Sequence, residues 1–134
     1  MSVPVFKRGV SKLKVLNDAK ILAIYTLNTC SNEKYFPKKY RWSFTKPLID
    51  EALNMIRCIY SANSIKAENI HDHETRLKLQ KEALMHLQTI LPMLDLSYSM
   101  FPIATNKIEY WTNLCVETEK SLRAWIKWEK EQIK

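Results

Sequence analysis

The chain has 134 residues, of which 46% are hydrophobic, so it has the length of one domain and enough apolar side chains for one buried core. Gly9 is its only glycine, which argues against tight β-hairpins and glycine-rich phosphate-binding loops. The net charge of +7 is uneven, because residues 1–46 carry ten Lys or Arg against two acidic residues, and this distribution favours a polyanionic partner, nucleic acid first.

The first predicted element is a helix from Asn17 to Ser31, with Asn17 as its N-cap. A basic tail, residues 1–15, precedes it, and residues 16–134 form the predicted domain. Residues 33–42 have no helical periodicity, and Pro37 disfavours a helical conformation at Phe36. A loop rich in aromatic and charged side chains is therefore expected there.

The second helix is predicted to begin near Ser43 or Thr45, with either side chain accepting from free N–H groups and Pro47 in the first turn. A third helix follows the polar stretch 64–71, and Pro92 is expected to kink or end it. Residues 97–102 form a short connection to a fourth helix, capped near Thr105. Apolar residues at spacings of three and four give the expected core positions of each helix. They are Ala19, Leu22, Ala23, Thr26, Leu27 and Cys30 in the first helix and Leu48, Ala52, Met55, Ile56, Ile59 and Ala62 in the second. They are Leu77, Ala83, Leu84, Leu87, Leu91 and Leu94 in the third helix and Ile108, Trp111, Cys115, Thr118, Leu122 and Trp125 in the fourth.

Four amphipathic helices with short connections bury their apolar faces most simply in an all-α, up-down-up-down antiparallel four-helix bundle. Cys30, Cys58 and Cys115 lie in apolar helical patterns, which predicts reduced thiols and a cytoplasmic protein. No apolar run is long enough to span a membrane, so the protein is not expected to associate with a membrane.

No catalytic site is predicted, because no nucleophile–base grouping or glycine-rich loop can be assembled. The segment His71–Glu74 has metal-ligand residue types, but its spacing matches no common metal signature. A polar helix start is the preferred interpretation, with no metal and no cofactor.

The predicted loop contains a candidate nucleic-acid-binding segment. Cationic side chains can neutralise phosphates, and planar rings can stack on unpaired bases. Phe36, Tyr40 and Trp42 could instead cap the end of the bundle, and both interpretations can hold together. The candidate residues are Lys38, Lys39, Tyr40, Arg41 and Trp42.

A second candidate surface is a basic stripe on the fourth helix, whose members share one face. The stripe could follow a phosphate backbone or meet an acidic partner. Alternatively, it is a solvated face moderated by Glu119, Glu129 and Glu131, with Glu119–Arg123 and Lys127–Glu131 as possible ion pairs. The stripe consists of Lys120, Arg123, Lys127, Lys130 and Lys134.

Ile126 and Trp128 lie beside this stripe. If Leu122 and Trp125 fill the core, Ile126 and Trp128 are expected to remain partly exposed. Exposed large apolar side chains often mark a subunit interface, so these two residues are predicted to contact a partner or a second copy of the chain.

Three short motifs resemble those of the accessory variability determinant (Avd) proteins of diversity-generating retroelements. They are Phe36–Arg41 before the second helix, Lys107–Trp111 at the start of the fourth, and Leu122–Lys127 near its end. The resemblance spans about Leu16 to Lys130. Four-helix proteins encoded in intervening sequences of ribosomal RNA are wider relatives.

The resemblance implies a barrel-like homopentamer that binds a reverse transcriptase and its template RNA, or DNA or an RNA/DNA hybrid, without performing chemistry itself. It would support the mutagenic cDNA synthesis of the retroelement. The family's basic surface corresponds to Lys38, Lys39 and Arg41 in the loop and to Arg123 and Lys127 on the fourth helix. The alternative is a protein-interaction module that docks an acidic protein partner without binding nucleic acid.

Overall fold

A computed structural model describes the backbone of residues 5–134 and the side chains of residues 12–134. The protein is all-α, as predicted. Its four long helices are α1 (Val5–Cys30), α2 (Lys46–Ser64), α3 (Ile70–Met100) and α4 (Thr105–Ile133). The connection from α1 to α2 contains a short 3-10 helix, Lys38–Tyr40, and a π-helical turn, Arg41–Thr45. None of the described helices is long and apolar enough to cross a lipid bilayer.

The helices contact one another in ring order, α1 with α2, α2 with α3, α3 with α4, and α4 with α1. Side-chain contacts show that neighbours run in opposite directions. The start of α4 meets the end of α1 where Trp111 donates to Thr26, and the end of α4 meets the start of α3 where Glu129 accepts from Arg76. This arrangement is consistent with the predicted antiparallel four-helix bundle.

The predicted core is largely confirmed. All six expected positions of α2 and all six of α4 are buried. In α3, Ala83, Leu87 and Leu94 are buried, whereas the other three expected leucines are half-buried. In α1, only Leu27 among the six expected positions is half-buried rather than buried. Spacings of three and four therefore located the inward faces correctly.

Two predicted helix starts need correction. Asn17 is an exposed residue within α1, which begins at Val5, so its prediction as an N-cap was wrong. Thr45 precedes α2 with Pro47 in the first turn, but its side chain makes no capping hydrogen bond. The reason is that the π-helical turn continues directly into α2, which leaves Thr45 in a helical conformation rather than the extended one of a capping residue.

The helix α3 does not end at Pro92 and continues to Met100. Pro92 is exposed, while Ile90 and Leu94 on either side of it are buried. Packing of this face holds the helix together across the backbone hydrogen bond that proline cannot make. The connection to α4 consequently begins at Phe101, later than predicted.

The expectation that Ile126 is exposed was wrong, because its side chain is only 6% exposed. The buried face of α4 widens toward its C-terminus and includes both Trp125 and Ile126. Trp128 is half-buried, with Arg76 over its ring and His73 at its edge. The expected partial exposure thus holds for Trp128 and fails for Ile126, and their contact with a partner or a second copy stays a prediction.

Candidate nucleic-acid interface

The connection between α1 and α2 is anchored on the end of the bundle by aromatic packing. Phe36 is buried, with its ring edge-on to Phe101 and to Trp111. The rings of Tyr40 and Phe44 also pack on Phe101. The prediction that these aromatics cap the bundle is confirmed for Phe36 and Tyr40. Their packing gives the cationic residues between them a fixed framework.

Trp42 departs from this pattern, because its side chain is 74% exposed. It lies in the π-helical turn, whose backbone hydrogen bonds join residues five apart rather than four. This difference changes the direction in which successive side chains point. Phe44 packs inward and Trp42 is left in solvent. An exposed indole beside cationic side chains can stack on an unpaired base.

Trp42 lines a groove of about 420 Å³ on the α1/α2 side of the bundle, here called the loop groove. Its cations are Lys38, Arg41 and Lys46, and Glu33 is its acidic residue. The remaining lining residues are Cys30, Ser31, Phe36, Thr45 and Ile49. The groove thus combines positive charge, an exposed ring and a partly apolar floor.

The loop-groove cations remain accessible to a ligand. Arg41 reaches Glu33 at 3.4 Å and Lys46 reaches Asp50 at 2.9 Å, both in solvent-exposed ion pairs that contribute little to stability. Thr45 Oγ1 is buried in the groove wall and has no hydrogen-bond partner among the described residues. A ligand in the groove could therefore contact the exposed cations, whereas the Thr45 hydroxyl lies below the accessible surface.

The two other predicted loop residues have a different role. Lys39 is exposed but does not line the groove, and its ammonium lies 5.1 Å from the centre of the Tyr40 ring. Because that ring also packs on Phe101, Tyr40 is already in contact on the protein side. The ring placed to receive a base is therefore that of Trp42.

All five cations of the α4 stripe are exposed, as the helical spacing predicted. The predicted pair of Glu119 with Arg123 is confirmed at 3.1 Å. Glu131 contacts Lys134 at 3.5 Å rather than Lys127, so that predicted pair is wrong. Glu129 does not moderate the stripe, because it is buried and bonded to α3.

Part of the stripe lines a second groove of about 360 Å³, here called the α3/α4 groove. Lys81 of α3 faces it from one side, and Arg123, Lys127 and Lys130 of α4 face it from the other. Leu84 and Ile126 complete the lining. Four cations and no carboxylate therefore surround one depression. Such a site concentrates positive potential and attracts phosphate.

Sequence reasoning missed two groove residues, Lys46 and Lys81. Lys46 belongs to the basic N-terminal third, and its position one turn beyond Trp42 could have indicated it. Lys81 becomes recognisable only when α3 and α4 are paired, because no pattern in α3 alone distinguishes it from other surface lysines.

Glu129, at 0% exposure, is the centre of a buried polar cluster at the far end of the bundle. Its carboxylate accepts from Arg76 Nε at 2.7 Å, Arg76 Nη2 at 3.1 Å and Gln80 Nε2 at 2.9 Å, and it contacts His73 Nδ1. Arg76 also donates to the Ile65 carbonyl at 3.0 Å. This cluster ties α3 to α4 and is closed to a large ligand.

The segment His71–Glu74 is a polar helix start, as predicted. Asn69 is the N-cap of α3 and accepts from the Asp72 N–H, while Asp72 accepts in turn from the Glu68 N–H. His71 is exposed, and His73 joins the Glu129 cluster. Within residues 12–134, no group of three or more His, Cys, Asp or Glu side chains is arranged to hold a metal ion.

The chain matches no protein-family model, no curated protein and no solved structure. The two grooves must therefore be interpreted from their own chemistry. Exposed cations carried on packed helices and an anchored connection can bind phosphates, and Trp42 can add stacking on an unpaired base.

Proposed function

We propose that this protein is a non-catalytic RNA-binding subunit that assists a reverse transcriptase, in the manner of the Avd proteins its motifs resemble. The observation that carries the proposal is the loop groove, where the exposed Trp42 ring adjoins Lys38, Arg41 and Lys46. Phosphate contacts supply most of the affinity for a single strand, and stacking adds to it without demanding a particular sequence.

The wider proposal includes the four exposed cations of α4 that were predicted to contact RNA, Lys120, Arg123, Lys127 and Lys130. It also includes assembly into a homopentamer and mutagenic cDNA synthesis in a diversity-generating retroelement. These features rest on the resemblance of the three motifs. In this proposal the protein holds template RNA close to a partner enzyme.

The phosphate contribution can be tested through the salt dependence of RNA binding. In the double variant Lys38→Glu with Arg41→Glu, log affinity should fall less steeply with log salt concentration. The magnitude of the slope should decrease by about two, because each lost phosphate contact decreases it by about one. The matched control is Lys20→Glu with Lys66→Glu, an equal charge change at exposed lysines outside both grooves. Equal slopes for the two variants would refute the loop groove as the phosphate site.

Stacking is tested separately. Trp42→Ala should weaken binding of an unpaired oligonucleotide by about 1–3 kcal/mol, whereas Trp42→Phe should retain part of the affinity. Tyr60→Ala removes another exposed ring, far along α2 from the loop groove, and should have little effect. Equal losses for Trp42→Ala and Tyr60→Ala would contradict a stacking role.

The partner is tested by co-expression with the reverse transcriptase of a diversity-generating retroelement, followed by affinity purification with and without nuclease. Recovery of the enzyme together with an RNA that crosslinks to the loop groove supports the proposal. If the protein instead retained an acidic protein after nuclease treatment and showed no RNA binding, it would be a protein-docking module.

A further inference from the structure

The loop groove lies at one end of the bundle, and the α3/α4 groove lies in the opposite half. The loop groove is at the end where Tyr40 and Phe36 pack on Phe101, immediately before α4 begins at Thr105. Arg123 lies about five helical turns farther along α4, which at 1.5 Å per residue is about 27 Å from that end. Lys127 and Lys130 are farther still. The two sets of cations are therefore far apart along the long axis of the bundle.

The grooves also face opposite sides. The loop groove is lined by residues of α1, α2 and their connection, whereas the α3/α4 groove is lined by residues of α3 and α4. Because the helices contact in ring order, the α1/α2 side lies across the bundle from the α3/α4 side. A straight segment of nucleic acid lying in one groove cannot reach the other.

Their chemistry differs as well. Trp42 supplies an exposed ring in the loop groove, while none of the six residues that line the α3/α4 groove is aromatic. That groove presents Lys81 from α3 opposite Arg123, Lys127 and Lys130 from α4. Of these, Arg123 has a carboxylate partner on its own helix, and no ion pair joins the three lysines to an acid within residues 12–134. Such a site suits phosphates and has no means to select unpaired bases.

We infer that the α3/α4 groove, completed by Lys81, is a second and independent RNA site that binds the sugar-phosphate backbone of a separate segment. One chain then holds two RNA segments on opposite sides, one by stacking and phosphate contacts and one by phosphate contacts alone. This inference rests on the proposed RNA-binding function. It adds that the protein joins two segments rather than coating one.

The test is the number of RNA molecules bound per chain. Oligouridine is titrated at low salt into protein whose concentration is well above the dissociation constant. A length of about six nucleotides is within the range of a single-strand binding site, and such a strand is too short to follow the surface from one groove to the other. Counting per chain makes the result independent of oligomeric state. The wild-type protein should bind two. Lys81→Glu with Lys127→Glu, and Lys38→Glu with Arg41→Glu, should each bind one.

Lys20→Glu with Lys66→Glu should still bind two. A wild-type value of one would overturn the inference and leave the proposed function intact, whereas no binding would overturn both. Two molecules bound to the Lys81→Glu, Lys127→Glu variant would also refute the second site. The exposed Lys130→Ala variant is a milder check, expected to weaken one of the two binding events without affecting folding.

A short RNA duplex distinguishes the two sites further. It should compete at the α3/α4 groove, which needs only phosphates, and compete poorly at the loop groove, where Trp42 requires an unpaired base. In the Lys38→Glu, Arg41→Glu variant the duplex should therefore displace the remaining oligouridine. Failure to displace it would show that the α3/α4 groove is not a backbone site.

Discussion

Arg76 of α3 and Glu129 of α4 form a buried ion pair through two hydrogen bonds, from Nε at 2.7 Å and from Nη2 at 3.1 Å. Removing the carboxylate charge would leave the Arg76 guanidinium uncompensated in the interior. Glu129→Gln should therefore lower the free energy of unfolding by about 3–5 kcal/mol, measured by urea denaturation. The control Glu131→Gln removes an exposed carboxylate and should change stability by less than about 0.5 kcal/mol. Similar values for both variants would refute the structural role of Glu129.

Thr26 accepts a hydrogen bond from the buried indole N–H of Trp111 at 2.9 Å and itself donates to the Leu22 carbonyl. Thr26→Val nearly preserves shape but leaves the Trp111 N–H without its partner, so it should destabilise the protein by about 1–3 kcal/mol. Thr89→Val is the matched control, because Thr89 also donates to a carbonyl one turn back but is exposed. The prediction fails if thermal unfolding shows equal effects.

Pro92 is an exposed proline inside α3. Pro92→Ala restores a backbone N–H in a helix that already continues through this point, so the free energy of unfolding should rise by about 1–3 kcal/mol. The neighbouring exposed substitution Thr89→Ala should have a much smaller effect. A loss of stability for Pro92→Ala would mean that α3 packs around a bend specific to proline.

The three cysteines should differ in reactivity. Burial raises the pKa of Cys30 and of Cys115 to about 12, with Glu119 adding to the rise at Cys115. Burial and nearby Glu82 raise the pKa of Cys58, which is only half-buried. At about pH 8 a maleimide should modify Cys58 first in the native protein and all three thiols after unfolding, as counted by mass spectrometry. Cys58→Ser should leave the native protein almost unlabelled, and equally rapid labelling of Cys30 would contradict this order.

The same shifts predict a dependence of stability on pH. Because the folded pKa of Cys30 and Cys115 exceeds the unfolded value of about 8.5, their contribution is complete below that value and is lost as pH rises toward 12. Stability should therefore decline across this window. In the Cys30→Ala, Cys115→Ala variant the decline should be shallower. An equal slope would show that these thiols do not contribute.

The sequence was informative where a residue's chemistry agreed with its environment. Apolar side chains that recur at the helical period indicate the inward face of a helix. Examples are Leu48, Ala52 and Ile59 in α2 and Trp111 and Leu122 in α4. The exposed basic face of α4 followed from the same period. These features depend on local spacing alone.

Other features depended on pairing between helices. Glu129 and Gln80 are polar residues in the interior, and nothing in either helix alone indicates that they bond to each other. The position of Lys81 opposite Arg123 requires the register of α3 against α4. Trp42 was grouped with the capping aromatics because the π-helical turn that points it outward has no recognisable sequence signal.

The aromatic anchoring of the α1–α2 connection has a consequence for the thermodynamics of recognition. Because Phe36, Tyr40 and Phe44 already hold the backbone against Phe101, a bound strand would need to order only side chains, chiefly those of Lys38 and Arg41. Association should then occur without coupled folding of the protein, and its heat-capacity change should be small compared with that of a disordered basic arm. The surface would be a preformed scaffold rather than a flexible clamp.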